Sequence, residues 1–252
     1  MNELNKPKKG DFNLKRIYEG SYQYFNKNTL FCEENFEIFR NKEKLTIQYF
    51  SELFSRTKEG ELFETRVSYL VNNQFTPIFV HIEKTLGSNH TVENYAYEQR
   101  SNLIKYEFRL GNSVETAEIT APTKFHISSN TTVNSLLFLQ SKKFDTSNIN
   151  YYSVLKSKNK WEYESEPEFH EIGVERQSVT PVKIKVDRFP VRATPFKIIQ
   201  TNPNEEVSNF GEREGIITHV SGFHSIPYKI EDSKTDTTIQ IKKLTNLMTE
   251  ET

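Results

Sequence analysis

Six histidines and one cysteine are the residues of this chain most able to do chemistry, and their spacing sets what that chemistry could be. His81 stands in Phe79-Val80-His81-Ile82-Glu83. On a strand, alternate residues share a face, so Phe79, His81 and Glu83 fall together and an imidazole lies beside a carboxylate. Such a pair can move a proton in a pocket, and on a wet face it is simply solvated. His219 and His224 bracket Val-Ser-Gly-Phe, and a turn at Gly222 would bring them together. Zinc sites need three or four converging ligands, and no third is evident, so no metal site is expected. Cys32 has no histidine near it in sequence and no second cysteine to pair with. Nine glycines include no phosphate-cradling run, so no nucleotide or other cofactor is expected.

Aromatic residues are the other candidates. There are 19 Phe and 12 Tyr. Tyr69, Tyr95, Tyr97, Tyr106, Phe108, Phe138, Trp161 and Tyr163 are the residues expected to line a ligand site. Large rings supply apolar contact area, and phenol hydroxyls can orient a polar head group. The same residues would serve equally as ordinary core. Trp161, the single tryptophan, shares a face with Tyr163 in Lys160-Trp161-Glu162-Tyr163.

These side chains must be positioned by strands. Two-residue alternation recurs from about Leu30 to Leu244: Phe63, Thr65, Val67, Tyr69 and Val71 fall on one side of a pleat, and Glu64, Arg66 and Ser68 on the other. Closely spaced strands with Asn- and Gly-bearing turns, such as Asn26-Lys27-Asn28 and Gly111-Asn112, favour an antiparallel meander. One internal helix is expected, with Asn130-Thr131-Thr132 capping Val133–Leu139; a short buried strand is the competing reading. Strands resume at Asn150–Lys156, Lys160–Ser165, Glu171–Gln177, Thr180–Asp187 and Thr194–Gln200. The polar stretch Thr201–Glu214 reads as a mobile loop, and three strands close the chain. Residues 1–17 read as a flexible lead-in, 18–244 as one β domain, and 245–252 as a tail.

The fold class is therefore all-β: a large curved antiparallel sheet, half-barrel or open barrel, wrapping one short helix. A formal net charge of −1 supplies no reason to expect nucleic acid or an anionic membrane as partner. No stretch approaches the ~18 apolar residues of a spanning helix. The first residues, Met1-Asn-Glu-Leu-Asn-Lys-Pro-Lys-Lys, do not form an export signal. As given, the chain is expected in the cytoplasm; a periplasmic location would follow if a signal had been removed.

The layout resembles that of bacterial envelope proteins with one large curved sheet. The features that carry the likeness are the meander, the short capped segment, the closing Gly215-Ile-Ile-Thr-His-Val-Ser-Gly222, Ile226-Pro227-Tyr228 and a last amphipathic strand, Thr238–Leu244. The sheet is similar to the half-barrel of the lipoprotein carriers of the LolA and LolB kind. That resemblance covers residues 18 to 244 and implies acyl chains held in the concavity under a short helix or lid. A further relative of this curved sheet, in the pathway that makes violacein, implies a cofactor-free enzyme on an aromatic intermediate as the alternative. Filling an apolar groove is worth about 25 cal/mol per Å² removed from water. The groove can be filled by a lipid or other hydrophobic small molecule, by its own side chains, or by a second copy in a homodimer. A structural interaction module that recruits another chain at a sheet edge is a third reading.

Overall fold

The computed structural model describes residues 14–57, 59–186, 189–200, 215–222 and 224–248. Its first eight strands are β1 (Leu14–Asn26), β2 (Thr29–Asn41), β3 (Thr46–Arg56), β4 (Leu62–Asn72), β5 (Pro77–Leu86), β6 (Asn89–Glu98), β7 (Leu103–Leu110) and β8 (Ser113–Thr120). Each pairs antiparallel with the next. The later strands are β9 (Phe125–Ile127), β10 (Ile149–Lys156), β11 (Glu168–Arg176), β12 (Val182–Val186), β13 (Phe189–Gln200), β14 (Ile216–Val220), β15 (Pro227–Asp232) and β16 (Thr237–Asn246). β16 joins the outer edge of β1, so a single sheet runs β8 to β1, then β16 to β13, β11, β10 and β9, with β12 on β13. It is curved and not closed.

Local chemistry explains the meander. Lys27 and Asn28 both adopt positive φ (46° and 67°), the left-handed pair that a two-residue hairpin turn requires. Gly20 in β1 lies directly opposite Phe36, whose ring would be 2.5 Å from a β-carbon added there. Only hydrogen at that position lets the ring lie across the backbone. In β4, Thr65, Val67, Tyr69 and Val71 are buried as expected, with Phe63 half-buried, and Arg66 is exposed; Ser68, expected on the wet side, is buried and accepts a hydrogen bond from Gln48. Register then aligns Tyr49, Tyr69, Val80, Tyr95 and Tyr106 in one row across β3–β7 on the concave face.

Several expectations need correction. No α-helix occupies Val133–Leu139; a 3₁₀ turn covers Leu137–Gln140. The reason is visible in the amides. Ser135, Leu137, Leu139 and Ser141 all bond to carbonyls three residues back, and the N–H of Val133 goes to the Glu34 carboxylate. Those bonds specify successive tight turns rather than an α-helix. Lys160–Ser165 is loop, not strand, and the short β9 was not foreseen. Pairing is antiparallel except between β9 and β10, which run parallel. β1 begins at Leu14, inside the expected lead-in. The expected mobile loop at 201–214 lies outside the described residues, as do residues 1–13 and 249–252.

Candidate functional site

The concave face is divided into a filled half and a hollow half. In the filled half, the loop after β10 docks onto β5, β6 and β7. Asn159 is its anchor: the side-chain N–H₂ donates to Tyr106 Oη (2.8 Å) and the Ser165 carbonyl (2.9 Å), and Oδ1 accepts the N–H groups of Glu164 and Ser165. Lys84 Nζ donates to the Asn159 carbonyl (3.1 Å) and to Glu93 Oε1 (2.7 Å). Glu93 Oε2 also accepts from Tyr95 and Tyr106. This buried ion pair has its remaining lone pairs engaged, the condition under which such a pair is tolerated away from water. Trp161 rides on the same loop, edge-on to Phe63.

A second buried carboxylate pins the segment that crosses the concavity. Glu34, fully buried on β2, accepts the N–H of Thr132 (2.7 Å) and of Val133 (3.2 Å), and a short hydrogen bond from Tyr24. Burial outweighs these donors, together with the Thr132 hydroxyl, and raises its pKa to about 7. Glu34 thereby fixes residues 130–135 as a roof.

Beneath this roof lies a cavity of about 600 Å³. Its wall is aliphatic: Val154, Ile172, Ile198, Ile216, Ile230 and Ile239, from β10, β11, β13, β14, β15 and β16. Leu136 and Phe138 face it from the roof, with a hydroxyl fringe from Ser128, Thr131 and Ser135. Four acidic or basic side chains give it chemistry: Asp232 and Lys234, from the end of β15 and the turn after it, and the two that follow. Lys156 lines it, its ammonium pKa lowered by burial. His126 lines it too, wedged between Tyr69 and Phe138. Desolvation pushes His126 down to about 3, so the ring is neutral. Its Nδ1 meets Tyr69 Oη at 2.9 Å, and its buried Nε2 has no partner among the described residues.

Of the eight aromatic candidates, Phe138 lines this cavity and Tyr69 holds its His126. Tyr95, Tyr106, Phe108, Trp161 and Tyr163 belong to the filled half, where Phe108 packs on Tyr163 and Tyr95 on Tyr106. Tyr97 packs against Phe125 and donates to Asn102. Glu34, Lys84 and Glu93 were missed, although each falls in the dry phase of its strand, a detectable signal. Glu34 alternates with Cys32, Phe36 and Ile38, all buried. His126 lies in a three-residue strand, too short to show a period.

His81 is on the opposite, outward face. It contacts Asn94 Oδ1 (2.6 Å) and Glu83 Oε1 (3.0 Å), and the bond to Glu83 raises its pKa. The pair borders an outward groove of about 500 Å³ beside Arg66, Glu52 and Phe50. His224 contacts Arg40 and packs edge-on to Tyr18. No group of three or more metal-binding side chains occurs among the described residues. Cys32 is buried, its thiol raised to about 12 by desolvation and neighbouring carboxylates. Among the described residues, no helix is long and apolar enough to cross a membrane.

No family model matches the chain, and no curated protein matches it. Among solved structures, it resembles a β-barrel-like protein of domain of unknown function DUF1849 from Brucella abortus, with a TM-score of 0.54 and 7% identity over 92% of this chain and 98% of that one. A DUF1089 family protein from Pseudomonas aeruginosa gives 0.48 and 8% identity, over 77% and 87%. The first likeness establishes a barrel-like fold and says nothing of a ligand.

Proposed function

We propose that the protein binds an apolar small molecule or acyl chain noncovalently in the cavity beneath residues 130–138. The observation that carries this reading is the cavity's wall. Six aliphatic side chains from six strands line one space of about 600 Å³. That volume lies within the ~300–1,000 Å³ of ordinary small-molecule sites, which combine an apolar wall with polar groups that orient the ligand. Phe138, and Tyr69 through His126, are the aromatic residues assigned to this site; the other candidates support it by filling the rest of the concavity.

An enzyme working in the same concavity is the alternative. It would want a histidine with a carboxylate partner inside. His126 is inside but bonded to Tyr69, and the carboxylate that shares its cavity, Asp232, accepts from the Lys234 N–H and the Thr235 hydroxyl; His81, which has Glu83, faces outward. The binding reading is therefore preferred.

The test uses diphenylhexatriene, an uncharged polyene that fluoresces when removed from water. The wild-type protein should bind it, and Ile198→Trp or Ile239→Trp, which fill the space, should weaken binding at least tenfold with melting behaviour retained. Absence of binding to wild type, or equal binding by the filled variants, would refute the proposal.

A further inference from the structure

The unpartnered nitrogen of His126 says what kind of head group the cavity takes. Tyr69 has one hydroxyl proton and two acceptor sites. One acceptor site takes the backbone N–H of Ile127 at 3.0 Å. The other contact, at 2.9 Å, is His126 Nδ1. If Nδ1 carried the ring proton, both N–H groups would point at the phenol oxygen and the Tyr69 proton would have no acceptor. With the proton on Nε2, Tyr69 donates to Nδ1 and every group of the trio is satisfied. The backbone of β9 thus sets the histidine tautomer through Tyr69.

The consequence is a neutral ring whose Nε2–H is a donor. That nitrogen is buried and without a partner, and the side chain lines the cavity. A buried donor left unsatisfied destabilises the empty site. Lys156 adds a second donor and a positive charge on the same wall: it lies two residues beyond Val154, the register partner of His126, and so on the same face of β10. Roof hydroxyls complete a polar corner beside the aliphatic wall, and Asp232, Ser233 and Lys234 line the same cavity after β15, away from His126 in strand order.

We infer that the ligand is an apolar molecule with an acceptor oxygen at its head, a carboxylate or acyl carbonyl, hydrogen-bonded by His126 Nε2–H and approached by Lys156. This rests on the binding reading above and specifies its ligand class. The hydrocarbon tail lies along the isoleucine wall, and the head faces the polar corner. A donor in a water-poor site also discriminates: an acceptor-bearing ligand satisfies it, whereas a plain hydrocarbon leaves it unpaired.

Three probes separate the possibilities: cis-parinaric acid, its methyl ester, and diphenylhexatriene. Against wild type, His126→Phe should weaken the acid about tenfold and leave the hydrocarbon within twofold. Lys156→Met should weaken the acid too. A His126→Phe loss shared by acid and ester assigns a carbonyl contact; a loss confined to the acid assigns a carboxylate; both support the inference. Unchanged affinity for acid and ester in His126→Phe overturns it, while hydrocarbon binding leaves the cavity reading standing. Failure of all three probes to bind wild type overturns both. Should His126→Phe not fold, ¹⁵N two-bond correlation spectra of the wild-type imidazole decide. A neutral Nε2–H ring whose proton moves downfield with acid and not with hydrocarbon is expected. An Nδ1–H tautomer, or no response to acid, overturns the assignment.

Discussion

The Glu34 carboxylate accepts the backbone N–H of Thr132 at 2.7 Å, a contact between residues 98 apart in sequence. It takes the Val133 N–H as well, and those two amides hold the roof over the cavity. Replacing Glu34 with Leu would leave two buried amides without their acceptor and the Tyr24 hydroxyl with Thr132 Oγ1 alone. The expected loss is about 2–4 kcal/mol of stability, read by urea unfolding, with faster hydrogen exchange across 130–138. Unchanged exchange there would mean that the roof is held by something else.

The same carboxylate carries a pH signature. Its folded pKa of about 7 lies above its ordinary 4.5, so between these values the folded state holds a proton that the unfolded state has lost. Its contribution is complete below 4.5 and is lost as pH rises through 7, about 3 kcal/mol in all. His126 has the opposite slope. With a folded pKa of about 3 against an ordinary 6.5, it favours folding above 6.5 and loses that contribution as pH falls toward 3. His224, lowered to about 4 by burial and by Arg40, adds to it. Between pH 4.5 and 6.5 the carboxyl slope opposes those of the two histidines, so wild-type stability should climb with pH only about half as steeply as in Glu34→Gln, where the histidine slopes act unopposed. Parallel profiles for the two proteins would rule out the raised carboxyl.

The Lys84–Glu93 pair tests how the filled half is built. Lys84→Met should cost about 3–5 kcal/mol, because it strands a buried carboxylate. Adding Glu93→Gln should recover part of that loss. Strict additivity in the double-mutant cycle would show the pair to be uncoupled.

Asn159→Ala removes the side chain that closes the 159–165 loop and ties it to Tyr106. Trp161, the single tryptophan, should then emit at longer wavelength and be quenched more readily by acrylamide. An unshifted spectrum would mean that the Phe63 contact suffices to seat the loop.

Val67→Asp and Glu64→Ala test the pleat. Val67 is buried on the concave face, and Glu64 pairs with Arg66 on the outward one. The first should destabilise by several kcal/mol and the second by less than about 1. Equal shifts in melting temperature would refute the face assignment.

Alternation by itself determined most of the strands, and so the all-β class, since period two records which side of a strand is dry; it failed at Lys160–Ser165, which is loop, and at the three-residue β9. That is why β4 and β10 were recognisable nearly to the residue. The roof was not recognisable, because Val133–Leu139 has the apolar spacing of a helix. What decides its shape is Glu34, a distant carboxylate that claims the amide of Val133. Likewise, a row of tyrosines marks an inner face without saying whether that face is covered. Only the folded chain brings the 159–165 loop over one half of the concavity and leaves the isoleucines of the other half around open space. Burial pattern is a property of each strand, while filling depends on contacts between segments far apart in sequence, which no local spacing encodes.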